Sequence, residues 1–256
     1  MIKKLFATSL LFLGFSSLCN ATIVEFQTSQ GNFQVNLFDQ TTPNTVDNFL
    51  QYIEEQHYTN SVIHRVVPGF IVQGGGSTFT GEWPLSGIAT NPAITNEPVY
   101  SNVKGTIAMA KLPNNVNSAS DEWFFNLANN ASNLDLQNGG FTVFGQVIGD
   151  GMAIVEQIAG LSLCQDIPML DYTSQNCSEQ STPGIENFVV INQIIIIDSS
   201  DVTDADLTPI ENTLLTSGTP PETGNDSGGG GGGSFAWLLI FNVIVLFFRK
   251  AVLKAS

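Results

Sequence analysis

Basic residues are scarce in this chain, and their scarcity excludes one class of partner. The 256 residues include 8 Lys and Arg against 23 Asp and Glu, which gives a formal net charge of −15. Five of the eight lie at the extreme ends, so only Arg65, Lys104 and Lys111 stand between them. Because such a surface repels phosphates, we exclude nucleic acid as a partner and interpret the acidic balance as a source of solubility.

The motifs of hydrolases and phosphoryl-transfer enzymes are also missing. The sequence contains neither Gly-x-Ser-x-Gly nor a P-loop, and it places no pair of carboxylates among apolar residues. Only two histidines occur, neither beside an acidic pair, and Cys-x₁₂-Cys is a poor zinc pattern, so we expect no metal site. His57 lies on a polar run after a helical segment and is expected to be solvated.

The beginning of the chain is an apolar segment with the features of a signal peptide. Residues 1–21 start with Lys3 and Lys4, continue as an apolar run and end in Cys19-Asn20-Ala21, which predicts cleavage after Ala21. Acylation of Cys19 is less favoured, because the bulky Leu18 precedes it. We therefore predict export.

The other end combines a polar stretch with a short apolar one. Residues 199–233 are acidic, end in six consecutive glycines and are predicted to form a disordered linker. Residues 234–256 contain a short hydrophobic helix candidate followed by a basic tail. This arrangement resembles the bacterial GlyGly-CTERM sorting signal, which implies cleavage and surface sorting; a permanent membrane anchor is the alternative. Either reading predicts a periplasmic or envelope location.

Few cysteines remain after signal removal. Cys164 and Cys177 are left in the mature chain, and an even number in an exported protein suggests a disulfide. Such a bond would close a loop of about fourteen residues and contribute ~3 kcal/mol to stability. Two free buried thiols are the alternative.

The body between the ends, residues 22–198, alternates short strand-like runs with two amphipathic segments. Residues 22–37 are typical of a hairpin. Residues 41–53 and 149–161 carry apolar residues at helical spacing. Many short strands with two helices indicate a closed barrel capped by helices rather than a sandwich.

The most distinctive stretch is residues 62–76, Val-Ile-His-Arg-Val-Val-Pro-Gly-Phe-Ile-Val-Gln-Gly-Gly-Gly. Two strand-like runs flank a Pro-Gly turn. Within the first run, alternation places Arg65 and Val67 on the same face; within the second, Ile71 and Gln73 share a face. A permanent cation beside apolar residues is unusual, because burying an unpaired charge is costly. A plain amphipathic hairpin whose arginine reaches water is the alternative.

This stretch resembles the cyclophilin signature. Ile63 replaces the usual aromatic residue, and the matches are Arg65, Pro68, Gly69, Phe70, Gln73, Gly74 and Gly75. The resemblance spans roughly residues 23–198. It implies a mainly β fold, a closed eight-stranded antiparallel barrel capped by two α-helices, with peptidyl-prolyl cis-trans isomerase activity. It also implies that His64 is a structural residue of the core.

The same resemblance implies the site. Arg65 and Gln73 are the expected catalytic residues: the arginine would stabilise the twisted amide, and Gln73 with the backbone near Lys111 would hold substrate carbonyls. The proline ring would enter an apolar pocket. The expected substrate-binding residues are Phe70, Ile71, Met109, Ala110, Lys111, Glu122, Phe124, Leu134 and Phe141.

Besides Ile63, five positions depart from the family pattern. Ile71 replaces a methionine, a change that conserves volume. Lys111 replaces an asparagine whose contact is made by the backbone, so little should change. Glu122 replaces a glutamine and adds a negative charge near the substrate path. Asn133 stands where eukaryotic cyclophilins have tryptophan, which predicts weak cyclosporin binding. Phe141 stands where the family has its active-site histidine, so we expect tuned rather than lost activity.

We therefore predict an exported, envelope-tethered isomerase that acts on proline-containing polypeptides, as a monomer and without a cofactor. A proline-peptide binding or holdase module is the alternative, with catalysis weakened at Glu122, Asn133 and Phe141. Arg65 distinguishes the two, because binding alone does not require an arginine. A small-ligand barrel is disfavoured, because the strands carry Phe, Ile and Val rather than small inward-facing residues.

Overall fold

A computed structural model of the protein describes residues 22–200 and 207–215. The predicted signal peptide, the glycine-rich part of the predicted linker and the predicted apolar helix with its basic tail lie outside these residues. Within the described part, no helix combines the length and apolar character needed to cross a membrane. The same residues contain no group of three or more His, Cys, Asp or Glu side chains placed to hold a metal ion.

Short antiparallel strands make up most of the described body. The helices are α1 (Pro43–Glu54), α2 (Ala131–Leu134), α3 (Gly151–Ala159) and α4 (Ser174–Ser178), with 3₁₀ turns at Gln137–Gly139 and Ile185–Asn187. The strands are β1 (Ile23–Thr28), β2 (Gly31–Leu37), β3 (Ser61–Val62), β4 (Arg65–Val67), β5 (Ile71–Gly74), β6 (Ser77–Thr78), β7 (Ser86–Gly87), β8 (Thr106–Met109), β9 (Trp123–Asn126), β10 (Val143–Ile148), β11 (Ser162–Cys164), β12 (Ile167–Met169) and β13 (Val190–Asp198).

Local sequence explains the first elements of the body. β1 and β2 form a hairpin whose turn ends at Gly31, where φ is 122°, a conformation that favours glycine. Pro43 begins α1, where its missing N–H costs nothing. The buried face of α1 includes Val46, Phe49 and Tyr52, which follow helical spacing.

The main sheet curls until its two ends approach each other. Its strand order is β4-β5-β9-β8-β10-β2-β1-β13-β3-β6-β7, and β11 pairs with β12 separately. β3 and β4 are successive parts of one run, separated only by Ile63 and His64. Ile63 N–H donates to Val189 on one side, whereas His64 N–H donates to Gln73 on the other. The run thus changes partner at this point and links the two ends of the sheet.

This architecture confirms the predicted fold class and corrects its details. Counted once, the β3–β4 run joins seven other strands around the core, and β6 and β7 extend the sheet beyond them. The hydrogen-bonded strand order does not close on itself as the predicted barrel would, because β3 and β4 pair with different strands and not with each other. Two helices were predicted; α2 and α4 are additional short ones.

Aromatic rings fill the space inside the curled sheet. Phe26 has no exposed surface, and its ring centroid lies 5.0 Å from Phe33, 5.1 Å from Trp123 and 5.4 Å from Phe125. These side chains point inward from alternate strand positions. Because large rings occupy the interior, a ligand-holding barrel is not supported, and the chemistry must be sought on the outer surface.

The segment after α1 differs from its predicted exposure. His57 was expected to be solvated, but its side chain is only 6% exposed and its Nε2 lies 2.9 Å from Asp121 Oδ2. Gln56, at φ 57°, reverses the chain. The histidine ring therefore returns to the helix, with its centroid 4.5 Å from that of Tyr52.

Residues 207–215 dock against the body, and we call them the docked segment. Ser101 N–H donates to the carbonyl of Ile210, and Asn212 N–H donates to the carbonyl of Val99, both at 2.8 Å. The Asn212 side chain is buried and donates to the Asp135 carbonyl at 3.0 Å. The prediction of a disordered linker over residues 199–233 is therefore corrected for the docked segment, which finds backbone partners on a distant loop.

Candidate active site

The β4–β5 hairpin presents Arg65 on the outer surface of the curled sheet. Arg65 lies opposite Gln73 in the register of the two strands. Val66 points into the barrel core, whereas Val67 packs with a separate outer group. The turn includes Gly69, at φ 69°, which a side chain would strain. The period-two alternation of the sequence thus places Arg65 outside.

A polar network surrounds the guanidinium. Arg65 Nη1 donates to Gln73 Oε1 at 3.2 Å, and Gln73 Nε2 donates to Glu122 Oε2 at 2.6 Å. His64 Nε2 lies 3.4 Å from the same carboxylate oxygen. The Gln73 amide is thereby oriented at both ends, so its oxygen faces the cation. Glu122 contacts Gln73 and His64, which gives its predicted negative charge a specific structural role.

The ionisation of the network follows from burial and from its charges. Burial lowers the pKa of Arg65 from its usual value, while the neighbouring carboxylates of Asp166 and Glu122 act in the opposite sense. Burial alone would raise the pKa of Glu122, but His64, Gln73 and Arg65 outweigh it, so that the pKa is lowered. The Glu122 side chain keeps 39% of its surface exposed, so solvent screens part of this effect.

An outer apolar cluster lies beside this network, separate from the barrel core. Its buried members are Phe38, Ile71, Ala108, Phe124, Leu134, Phe141 and Val143, with Val67, Phe70, Tyr100, Ala110 and Leu207 packed against them. Six of the predicted substrate-binding residues therefore come together here. Phe124 and Phe141 meet edge to face, with their centroids 5.8 Å apart. The carbonyl of Phe70 accepts hydrogen bonds from Leu127 N–H and from the Asn130 side chain, both at 2.9 Å.

Met109 does not belong to this outer apolar cluster. It is fully buried among the residues of the barrel core, which corrects its predicted place in the pocket. Ala108 in β8 and Ala110 just after it face the outer cluster, so the residue between them points inward. The motif places Met109 beside the site in sequence, but strand alternation turns its side chain away.

Lys111 closes one side of the outer apolar cluster. Its Nζ donates to the carbonyls of Asn138, at 2.8 Å, and Gly140, at 2.6 Å, and lies 4.8 Å from the centroid of the Phe141 ring. Burial lowers the pKa of Lys111 to about 8. The side chain therefore ties the 3₁₀ turn to the residues just after β8 and lies over Phe141, a contact that its expected backbone role does not predict.

A disulfide holds the segment that reaches Arg65 from the far part of the chain. The structure joins Cys164 and Cys177, with Cα atoms 5.5 Å apart. Asp166, two residues after Cys164, places its Oδ2 3.6 Å from Arg65 Nε. Asp166 could not be predicted from the sequence, because nothing in its local pattern indicates a partner about a hundred residues earlier.

A cleft lies on another part of the described surface. It has a volume of about 340 Å³ and lies beside α1. Its lining residues are Asn44, Asp47, Asn48, Gln51, Asn91, Pro92 and Ile94, and none of them is a predicted site residue. This cleft is therefore separate from the Arg65 site.

The architecture of the site can be compared with known families. A family model described as cyclophilin type peptidyl-prolyl cis-trans isomerase/CLD matches residues 23–178, which include the whole β4–β5 hairpin and the outer apolar cluster up to Val143. The chain belongs to the cyclophilin family. The predicted enzyme class, peptidyl-prolyl cis-trans isomerase, is thereby confirmed.

Curated relatives of this cyclophilin carry the same activity in their names. Peptidyl-prolyl cis-trans isomerase B of Escherichia coli is 37% identical over 160 residues, which cover 58% of this chain and 94% of that protein. The peptidyl-prolyl cis-trans isomerase of Acinetobacter baylyi is 37% identical over 143 residues, which cover 55% and 73%. Among solved structures, a Cryptosporidium parvum cyclophilin crystallised in the presence of the dipeptide Ala-Pro is 20% identical, with a TM-score of 0.49 over 69% of this chain and 99% of that chain.

Proposed function

We propose that this cyclophilin accelerates rotation about X-Pro bonds in exported polypeptides and that Arg65 stabilises the twisted amide. The observation that supports the proposal is a guanidinium only 11% exposed, held by Gln73 beside the outer apolar cluster. The rotation requires no nucleophile, because its barrier of ~18–20 kcal/mol comes from the partial double bond of the peptide. The two X-Pro isomers differ by only ~0.5–1 kcal/mol, so one catalyst serves both directions.

Arg65 supplies the differential stabilisation that the reaction needs. In the twisted state the prolyl nitrogen becomes pyramidal and gains a lone pair, which a guanidinium N–H can bind. A donor that is already oriented favours this state over both planar states, because it need not reorganise during rotation. Gln73 holds one end of the guanidinium, and the partial burial of Arg65 strengthens its electrostatic effect.

Gln73 and Glu122 prepare the donor. The amide of Gln73 is fixed between the guanidinium and the Glu122 carboxylate, so we assign it an orienting role as well as the expected contact with a substrate carbonyl. Glu122 in place of the usual glutamine can only accept hydrogen bonds when ionised, which leaves one orientation for the Gln73 amide. We expect this substitution to support rather than to abolish activity.

The outer apolar cluster provides the surface for the proline ring. Phe70 and Ile71 line it from the hairpin and Phe124 from β9. Leu134 reaches it from the end of α2, and Phe141 from the residues just before β10. A pyrrolidine ring offers no polar group, so apolar contacts hold the proline side of the X-Pro bond while the other side rotates. Substrates would be proline-containing polypeptides, and the reaction requires no cofactor.

The proposed location rests on the ends of the chain. The signal-peptide pattern of residues 1–21 predicts export, and the disulfide between Cys164 and Cys177 suits an oxidising compartment. The apolar segment within residues 234–256 would attach the protein to the membrane, permanently or until cleavage, in the periplasm or cell envelope. We expect a monomer. A mature N-terminus at Thr22 in the envelope fraction, by N-terminal sequencing, is the expected result; an intact Met1 in the cytoplasm would contradict it.

The catalytic proposal is tested by isomerisation of an X-Pro peptide, whose uncatalysed exchange takes ~10–100 s. Arg65→Ala should lower kcat/KM by about 10²- to 10³-fold, as expected for the loss of one oriented donor. Lys104→Ala is the matched control, because Lys104 pairs with Glu156 at 2.6 Å on α3 and should leave the rate unchanged. If wild type and Arg65→Ala are equally inactive but bind the peptide, the protein is a binding module.

A further inference from the structure

The β11–β12 hairpin brings a distant loop to the catalytic face. Cys164 pairs with Ile167, so only Gln165 and Asp166 form the turn. Gln165 adopts a φ of 58°, in the left-handed region that non-glycine residues seldom occupy. Cys164 is buried and bonded to Cys177, so the base of the hairpin is held by packing and by a covalent bond. The turn is therefore in a defined place.

Asp166 meets β4 at the edge of the main sheet through both its backbone and its side chain. The N–H of Val66 donates to the carbonyl of Asp166 at 2.6 Å. The carboxylate Oδ2 of Asp166 lies 3.6 Å from Arg65 Nε. The backbone hydrogen bond fixes the turn beside the strand that carries the arginine, and the carboxylate then faces the guanidinium directly.

The two acceptors contact different nitrogens of one planar group. Gln73 accepts from Nη1, whereas Asp166 lies beside Nε. Because the guanidinium is rigid and planar, contacts at two of its nitrogens define the orientation of the whole plane. A single contact would leave rotation about the side-chain torsions open. Asp166 therefore supplies a constraint at a second nitrogen, Nε.

We propose that Asp166 is a positioning residue that holds the Arg65 guanidinium in the orientation needed to bind the twisted amide. This inference rests on the proposed role of Arg65. The Asp166 side chain is 44% exposed, so solvent screens its charge and the pair adds little to stability. Its contribution lies in orientation, because a small displacement of a catalytic group can lower the rate strongly.

The activity test compares Asp166→Ala, Asp166→Asn and Asp166→Glu in the full chain. Asp166→Ala should lower kcat for X-Pro isomerisation about tenfold with little change in KM, a smaller effect than the ~100-fold that a 1 Å misplacement can cause. Asp166→Asn keeps the side-chain size and the backbone carbonyl, so its kcat should lie between those of wild type and Asp166→Ala. Asp166→Glu restores the charge and should recover part of the rate. Asp47→Asn, which removes an exposed acid from α1, is the matched control and should match wild type.

A spectroscopic readout separates orientation from folding. The chain has two arginines, Arg65 and Arg249, so the Arg65 Nε–Hε NMR signal can be assigned by its loss in Arg65→Lys. We expect this signal to shift and broaden in Asp166→Ala and to remain unchanged in Asp47→Asn. The melting temperatures of all these variants should stay close to that of wild type.

The outcomes distinguish this inference from the proposed function. If Arg65→Ala is inactive but Asp166→Ala and Asp166→Asn are fully active, Asp166 has no positioning role and the function of Arg65 stands. If Arg65→Ala retains full activity, the proposed function fails, and this inference fails with it. Reduced activity with an unchanged Arg65 signal, or with a large fall in melting temperature for both Asp166→Ala and Asp166→Asn, would also overturn the positioning role.

Discussion

Replacing Asn212 with alanine should detach the docked segment from the body. The Asn212 side chain donates to the Asp135 carbonyl at 3.0 Å and accepts from Leu214 N–H at 3.1 Å. Asn212 is buried, and Asp135 has no exposed surface. The substitution removes the partner of a buried carbonyl, for which the typical cost is ~1–3 kcal/mol. We therefore expect Asn212→Ala to lower the free energy of unfolding by about 1–3 kcal/mol.

Urea denaturation and limited proteolysis measure this effect. Asn212→Ala should lower the unfolding midpoint and speed cleavage within or next to residues 207–215. Gln193→Ala provides the control, because its side chain makes an exposed amide hydrogen bond to Gln27 at 2.7 Å. Loss of a surface contact of this kind should change stability by less than about 0.5 kcal/mol. Equal stability and equal cleavage for Asn212→Ala and wild type would refute the assignment of the docked segment as part of the folded body.

Three further predictions concern the disulfide, a buried cation and a glycine. Replacing both Cys164 and Cys177 with serine should lower the free energy of unfolding by ~3 kcal/mol in urea denaturation, and reduced wild type should behave alike; an unchanged midpoint would contradict the stabilising role. Because the pKa of Lys111 is lowered to about 8 from 10.5, the unfolded chain binds more protons between these values, so stability should rise with pH across this window relative to Lys111→Met. A pH-independent difference between the two proteins would contradict the burial of a titrating amine. Gly75→Ala should destabilise the protein more than Gly69→Ala, since both glycines have positive φ but only at Gly75 would a Cβ approach a backbone atom, the carbonyl oxygen of Asp121, at 2.5 Å. Equal melting temperatures for these two variants would show that the close approach relaxes.

Much of the local structure could be predicted because it is encoded in neighbouring residues. Alternation over residues 62–76 predicts that Val66 is inside and Arg65 outside, and the strand register agrees. Helical spacing predicts α1 and α3, which lie within about two residues of their expected limits. The cyclophilin motif adds Phe70, Phe124, Leu134 and Phe141, which the structure brings into one cluster.

Two residues, Met109 and His57, lie in other surroundings than the sequence predicts. Met109 lies within a motif typical of the site, yet strand alternation directs it into the core. His57 follows a polar run, but the turn at Gln56 returns it to the helix and to Asp121. The direction of Met109 is set by the alternation of β8, and that of His57 by the turn at Gln56.

The sequence by itself determined the family, the enzyme class and the outward position of Arg65, because these depend on a contiguous motif and on the two-residue repeat of a strand. Only the tertiary structure decided what surrounds that arginine. Asp166 reaches it from a disulfide-held hairpin, and Asn212 holds the docked segment against Asp135. Such contacts join residues far apart in the chain. Their formation depends on how the intervening elements pack, and no local periodicity encodes that packing.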